Sequence, residues 1–272
     1  MGPEQRKEAV VALHTKGLST FRACAIVAQP YRSLFNKKKA EKRADALLKQ
    51  CIGKHAQQRP RFGWRRLLIL ARREIPGTGE YRFRRLYKAL GIQVRPRKKR
   101  KVNYVRGNAI STVSRPNERW SIDFMHDSLG NGRTYRTMNI VDDFTSECLA
   151  LEPAFSFGSH DVTRCFEEIA FERGLPAAVR FDNGPEFTSR AMLQWGAEQK
   201  VDLHFIEPGK PTQNAKVESL NGRIRDELLN AHCFTTIDET RALAAAWRKD
   251  YNEVRPHSSL GGLTPLEYAN KF

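Results

Sequence analysis

Between Arg119 and Phe155 the chain alternates apolar and polar residues through three successive segments, and no other feature constrains its fold as tightly. "RWSIDFMHD" and "RTYRTMNIVDDF" flank the turn-forming "SLGNG", which predicts a hairpin, and "ECLALEPAF" adds a third strand to give an antiparallel meander. The pattern then changes. Asp161 to Glu172 reads as a helix, "AAVRF" as a short buried strand ending in "DNGPEF", Ser189 to Gln199 as a helix, and "VDLHFI" as a strand ending in the "EPGKP" loop. Three strands followed by alternating helices and strands imply an α/β fold, a mixed sheet covered by helices.

One further helix follows, in "GKPTQNAKVESLNGRIRDEL". Asn214, Glu218, Asn221 and Arg225 are spaced four, three and four apart, which keeps them on one face at 3.6 residues per turn. Val217, Leu220, Ile224 and Leu228 form a parallel apolar stripe that predicts inward packing. Pro211 and Thr212 suggest the start, with Thr212 as N-cap.

Charge divides the chain into two parts. Residues 1–110 hold 29 Lys+Arg against 6 Asp+Glu, a balance of +23, and residues 111–272 hold 18 against 24, a balance of −6. So dense a basic half is the electrostatic footprint of a polyanion-binding region, with nucleic acid as the expected partner. Its pattern is helical. "LSTFRACAIVAQPYRSLF" reads as two short helices around a turn at Gln29-Pro30, and a basic helix follows from about Asn36 to Gln57. Trp64, Leu67, Leu68 and Ala71, then Phe83, Leu86, Tyr87 and Leu90, repeat at i, i+3, i+4, i+7, with "IPGTGE" as the turn and Gly91 as the stop. The second helix of this pair presents Arg82, Arg85 and Lys88 outward, as a helix-turn-helix reader of DNA needs. "VRPRKKRKVNYVR", at about 94–106, is a basic linker whose Arg97, Lys98, Lys99 and Arg100 suit phosphate contacts. The expected organisation is a basic helical region over 1–104 and a second domain over 111–272.

The sequence excludes several other classes. No apolar run approaches the roughly 18 residues of a membrane span, and no apolar signal region follows the N-terminal charges. The five cysteines are scattered and form no C-x-x-C pair, which argues for reduced thiols in the cytoplasm and against a disulfide framework or a zinc module.

Three acids carry the expected chemistry. Asp123 lies mid-strand, Asp182 ends the "VRF" strand, and Glu218 lies on the polar face of its helix. Carboxylates converging from strand, strand end and helix suit two hard divalent cations, which would activate an attacking oxygen at a phosphodiester without a Ser or Cys nucleophile. Each also has a structural reading: Asp182 can cap the Asn183-Gly184 turn, Asp142 and Asp143 are rival strand acids, and Glu218 can be an ordinary helix glutamate.

"PNERWSIDF", "IVDDFTSECLALE", "RGLP", "FDNGPEFTS", "FIEPGKPTQNAKVESLNGRIRDE" and "DYNEVRPHSSLGGLTPLEYA" occur in that order. With them the chain from about Asn117 to Phe272 resembles the DDE transposases of the insertion-sequence-3 family, second-open-reading-frame type, and more broadly the retroviral-integrase catalytic core. The 35 residues between Asp182 and Glu218 are typical of that family, and Arg225 stands where such enzymes commonly place a basic DNA-contacting residue. Two positions depart from it, Lys216 for an aromatic or aliphatic residue and Leu220 for phenylalanine.

The resemblance implies an RNase H-like mixed sheet and a catalytic and metal-binding triad of Asp123, Asp182 and Glu218. It implies two Mg²⁺ ions, with Mn²⁺ as substitute, and DNA contacts from Lys210, Gln213, Asn214, Lys216, Asn221 and Arg225. The implied activity is DNA strand cleavage and strand transfer at the ends of a mobile element. The implied partners are double-stranded DNA, further copies of the chain on paired ends, and a fused or assisting upstream-frame product. Tyr251, Arg255, Pro256 and His257 in the tail are candidates to position DNA or a partner subunit, with a structural role open for His257. A catalytically silent DNA-binding regulator and an RNase H-like nuclease that does not join strands are the alternative readings.

Overall fold

The computed structural model describes residues 2–34, 43–94, 113–184, 186–207 and 211–272. Most of the basic linker, with Arg97, Lys98, Lys99 and Arg100, lies outside the described residues, as does Lys210.

The three alternating segments are strands β1 (Arg119–Ser128), β2 (Thr134–Asp142) and β3 (Cys148–Ala154). Parallel strands β4 (Ala178–Phe181) and β5 (Asp202–Phe205) join on the other side of β1, giving the order β3-β2-β1-β4-β5. β1 is therefore central, paired antiparallel to β2 and parallel to β4. This is the mixed sheet expected of an RNase H-like core.

Strand alternation divides the core into two layers. Trp120, Ile122, Met138, Ile140, Val179 and Phe181 face a cluster completed by α7 (Ser159–Arg173) and α8 (Arg190–Gln199). Met125, Tyr135, Val141 and Leu151 point to the opposite side, under α9 (Ala215–Glu227) and α10 (Ile237–Glu253). Val217, Leu220, Ile224 and Leu228 are all buried there. The apolar stripe thus docks α9 across the sheet and turns its other face toward β1.

The start of α9 differs from the expected one. Pro211–Asn214 forms a 3₁₀ turn, and the α-helix begins only at Ala215, after Asn214 rather than after Thr212. Asn214 makes no side-chain cap. Its amide turns inward and donates to the Ile122 carbonyl of β1 at 3.3 Å, a use of the side chain that competes with capping.

The basic half is helical in its described residues. α1 (Pro3–Thr15), α2 (Thr20–Ile26) and α3 (Tyr31–Leu34) share a small cluster around Val10, Ala23 and Cys24. α4 (Arg43–Gln58), α5 (Trp64–Glu74) and α6 (Glu80–Ala89) build a larger one around Leu48, Ile52, Leu67, Phe83 and Leu86. Gly91 ends the last of these at φ +69°, where a side chain would be strained.

The α4–α6 unit docks on the C-terminal elements through arginines. Arg59 pairs with Asp250, Arg66 with Glu227 at 3.5 Å, and Arg73 with Glu267 of α11 (Pro265–Ala269) at 2.7 Å. Arg255, only 2% exposed, is at the centre of the contact. Its Nε donates to Glu227 at 3.0 Å, and its guanidinium lies 5.5 Å from the Tyr251 ring and 5.6 Å from Phe62.

Truncating one partner of a buried pair leaves the other charge without compensation, a loss of about 3–5 kcal/mol. Arg255→Ala is expected to fall at the lower end, about 3 kcal/mol, because Arg66 remains near Glu227. Urea denaturation of the full chain measures it, and a loss under about 1 kcal/mol would contradict this account of the docking.

Candidate active site

Asp123 is half-buried on β1, where α9 passes over the strand. Asn221 of α9 donates its amide to Asp123 Oδ2 at 2.7 Å, and its own Oδ1 accepts from Asn139 Nδ2 of β2 at 2.7 Å. Asp123 Oδ1 accepts the Phe124 backbone N–H at 2.9 Å. An amide relay across two strands and a helix thus fixes the carboxylate, and among the described residues no cation forms an ion pair with it.

Asp182 and Glu218 are exposed on either side. Burial pushes the Asp123 carboxyl up to about 6, and the nearby negative charges of Asp182 and Glu218 add to the rise. That coupling places the three acids in one electrostatic cluster. A carboxylate disfavoured by its neighbours, with amide rather than cationic partners, suits a divalent cation between them. The donor set is all oxygen, as hard Mg²⁺ or Mn²⁺ requires. The three carboxylates do not close to single-ion distance: among the described residues a three-ligand group within 4.8 Å occurs at Cys51, His55 and Glu74, and not here.

The Asp182 loop is shaped by Gly184. Asp182 Oδ1 accepts the Gly184 N–H at 3.0 Å, so the turn-capping role is present in the structure. A Cβ on Gly184 would come within 3.0 Å of that oxygen and 3.1 Å of Glu186 Oε2, which explains a glycine there. Glu186 in turn bonds to Arg136 of β2, whose guanidinium lies 4.1 Å from the Phe124 ring. Burial, the largest single influence, works upward on Glu186, but the Arg136 bond, a backbone hydrogen bond and the charges of Arg136 and His126 together hold the carboxyl below its usual range. Neither Arg136 nor Glu186 was picked out as a site residue, because 50 positions separate them and no local rule pairs a strand arginine with a loop glutamate.

The rival strand acids belong to a different construction. Asp143 is buried, bonded to Arg119 Nε at 2.6 Å and Ser121 Oγ at 2.7 Å. Asp142 is buried too, and accepts the backbone N–H groups of Asn117, Phe144 and Thr145 at 2.8–2.9 Å. Both are committed to holding the β2–β3 turn and the start of β1.

The polar stripe of α9 is not uniformly presented. Arg225 faces the β1 end, donating to Asp127 at 3.0 Å and to the His126 carbonyl at 2.7 Å. Asn214 is buried, so it does not offer the open DNA-facing amide expected. Gln213 pairs with Glu207 at 3.1 Å. Lys216 departs further: its amine reaches Ser146 Oγ at 3.3 Å, beside Asp143 and away from Glu218, because position 216 lies two residues round the helix from that face.

In the tail, Tyr251 is not available as a DNA contact, and His257 takes the structural role left open for it. Tyr251 and His257 are 1% and 2% exposed, with their rings edge-to-face at 4.8 Å. Burial, with Arg255, Arg223 and Arg66 nearby, pushes His257 down to about 3. A neutral buried ring is a packing element, not a DNA contact. In the basic half, Arg82 and Arg85 both bond to Asp45 at 2.6 Å, while Lys88 is exposed. No described helix is long and apolar enough to cross a membrane.

Comparisons with known proteins bear on the family and the fold. Two family models, both described as integrase core domains, match residues 113–211 and 199–265. The chain is 44% identical over 254 residues to an uncharacterized 31.7 kDa protein of insertion element IS407 from Burkholderia multivorans, covering 93% of this chain and 91% of the relative. It is 39% identical over 274 residues to a 39.2 kDa protein of insertion element IS476 from Xanthomonas euvesicatoria, covering 100% and 79%. Over 231 residues it is 26% identical to InsK of insertion sequence element IS150 from Escherichia coli K12, covering 79% and 80%. Among solved structures, an intasome chain of simian T-cell lymphotropic virus superposes with a TM-score of 0.53 at 18% identity, over 80% of this chain and 73% of that one, a likeness of fold.

The Asp123 environment has a stability consequence. Its carboxyl titrates near 6 when folded and near its ordinary 3.8 when unfolded, so the folded chain holds the proton longer. Stability from this group is full below about pH 3.8 and is lost as pH rises through 6. With divalent ions chelated, Asp123→Asn is expected to exceed the parent at pH 7 by on the order of 2–3 kcal/mol, and to match it near pH 4. Equal urea midpoints at pH 7 would refute the charge-cluster account.

Proposed function

The chain belongs to the insertion-sequence-3-type transposases with an integrase-like core, and from that premise we propose that Asp123, Asp182 and Glu218 are its catalytic acids. Strand cleavage and strand transfer at the ends of a mobile element are the general activity of this family, and the protein is a polynucleotidyl transferase acting on DNA. The observation that carries the residue assignment is the placing of Asp123 under α9, held by the Asn221 amide and the Phe124 N–H with no cation paired to it among the described residues; burial and the charges of Asp182 and Glu218 push its carboxyl up to about 6. Asp142 and Asp143, with cationic or backbone donors already bound, have no comparable vacancy for a substrate or ion.

In this reading Asp123, Asp182 and Glu218 would hold divalent magnesium, with manganese as substitute, at two ions per site. When bound, such ions polarise the phosphodiester and lower the pKa of an attacking hydroxyl. The protein's own groups position. Asn221 and Asn139 hold the Asp123 carboxylate in one rotamer, so little reorganisation is needed as charge develops. Gly184 lets the loop close tightly on Asp182, its N–H donating to Asp182 Oδ1 at 3.0 Å, which fixes that carboxylate's orientation. Arg225, at the end of β1, offers a guanidinium to the DNA backbone within reach of the same face.

The basic helical region then holds duplex DNA, with Lys88 and the exposed edges of Arg85 and Arg84 as phosphate contacts. Two copies on paired element ends, with or without an upstream-frame partner, complete the proposed assembly.

Strand joining tests the assignment. A labelled duplex carrying the element terminus is incubated with supercoiled plasmid and Mg²⁺. Joined product is expected to fall more than about 10²-fold in Asp182→Asn and in Glu218→Gln, since misplacing reacting groups by 1 Å already costs that much. Unchanged joining in either variant would sink the triad. Nicking without joining would favour the nuclease reading, and salt-sensitive binding without cleavage the silent regulator. For the helical region, Lys88→Gln is expected to reduce the slope of log affinity against log salt by about 1 on duplex DNA, irrespective of sequence.

A further inference from the structure

Away from the acids, α4 and α5 bring three side chains of different chemistry together. Cys51 and His55 are one helical turn apart on the buried face of α4, and Glu74 ends α5 opposite them. Their potential ligand atoms all lie within 4.8 Å of one another. Glu74 Oε1 is 2.8 Å from His55 Nε2, and Oε2 is 3.5 Å from Cys51 Sγ.

The His55–Glu74 approach has unusual geometry. The separation is that of a hydrogen bond, yet among the described residues neither ring nitrogen of His55 has a partner at hydrogen-bonding angles, although the residue is 92% buried, being 8% exposed. The carboxylate oxygen therefore lies well off the N–H axis. Off-axis contact is poor for a hydrogen bond but normal for two ligands sharing one ion, because each lone pair then points at the ion and not at the other ligand. Burial pushes the His55 imidazole below its ordinary range, against the opposing pull of Glu74.

We infer that Cys51, His55 and Glu74 form a binding site for a single divalent transition-metal ion of the zinc type. A thiolate, an imidazole and a carboxylate are the three ligand kinds zinc accepts, and soft sulfur in the set disfavours Mg²⁺. A fourth tetrahedral position would be left to water at the partly exposed Glu74 edge. Lys54 competes for the same carboxylate at 3.4 Å, but its side chain is 58% exposed and free to swing into solvent. The ion would tie α4 to α5 in the unit that docks on the core. Metal entry displaces the Cys51 proton, so one proton is released as the Cys51 sulfur–metal bond forms, and no electron is transferred.

Cobalt(II) is the probe, because a thiolate ligand gives it a sulfur-to-metal charge-transfer absorption that the oxygen ligands of the acid cluster cannot produce. The full chain, stripped of metal and carrying Asp182→Asn to weaken the acid cluster, is titrated with cobalt. One equivalent is expected to develop that absorption together with tetrahedral d–d bands, and zinc is expected to bleach both. Cys51→Ser should abolish the charge-transfer absorption, whereas Cys233→Ser, at an exposed thiol, should leave it intact. Glu74→Gln lies at the exposed end of α5 and disturbs the core least; with its circular dichroism unchanged it should bind cobalt at least about tenfold more weakly. Absence of the absorption, its survival in Cys51→Ser, or unaltered affinity in a folded Glu74→Gln would each overturn the site.

Discussion

The candidate site depends on the burial of four aliphatic side chains, Val217, Leu220, Ile224 and Leu228, along one stripe of α9. They seat the helix across β1 and β2, and the other face then has nowhere to go but over Asp123. Full burial of each contributes roughly 1.5–3 kcal/mol, or on the order of 6–12 kcal/mol together. Holding a half-buried carboxylate against two like charges costs on the order of 3 kcal/mol. The packing exceeds the repulsion severalfold, so the fold can hold the acids together before any counter-ion arrives. A site held under electrostatic stress by hydrophobic packing is ready for cations and DNA, at some expense of stability.

The charged residues divide by the same logic. Acids that stabilise the fold have cations or backbone donors: Asp143 with Arg119, Glu227 with Arg255, Asp250 with Arg59, and Asp142 with three N–H groups. Asp123 has only amides. The basic half divides likewise. Of its net +23, part is neutralised inside the molecule, since Arg59, Arg66 and Arg73 pair with Asp250, Glu227 and Glu267 of the other half, while Arg82 and Arg85 share Asp45, which the +23 already counts. Net charge therefore overstates the cation density open to a polyanion, and the exposed remainder, such as Lys88, is what a phosphate backbone can meet.

Much of the fold was legible because its signals are local. The meander, its turn, the alternation after Asp161 and the inward stripe of α9 all rest on periods of 2 or 3.6 residues, and the structure follows them closely. The start of α9 was misread because the Asn214 side chain is drawn to the Ile122 carbonyl 92 residues away, which no local rule contains. Lys216, expected with Glu218, instead faces Ser146 and Asp143. Tyr251 and Arg255 read as available polar groups, yet both are buried, Tyr251 in the cluster under α9 and α10 and Arg255 against Glu227 and Phe62, contacts formed between distant segments.

The sequence by itself determined where helices and strands form, which faces are apolar, how charge divides the chain, and which few acids stand where chemistry could occur. Only the tertiary structure decided how those acids are partnered. It gave Asp142 and Asp143 to turn and ion-pair duty, fixed Asp123 through Asn221 and Asn139, and brought Glu74 to Cys51 and His55. The reason is physical: periodicity is encoded between neighbours, whereas the partner that satisfies a polar group, and so frees or commits it, comes from whichever distant segment packing brings alongside.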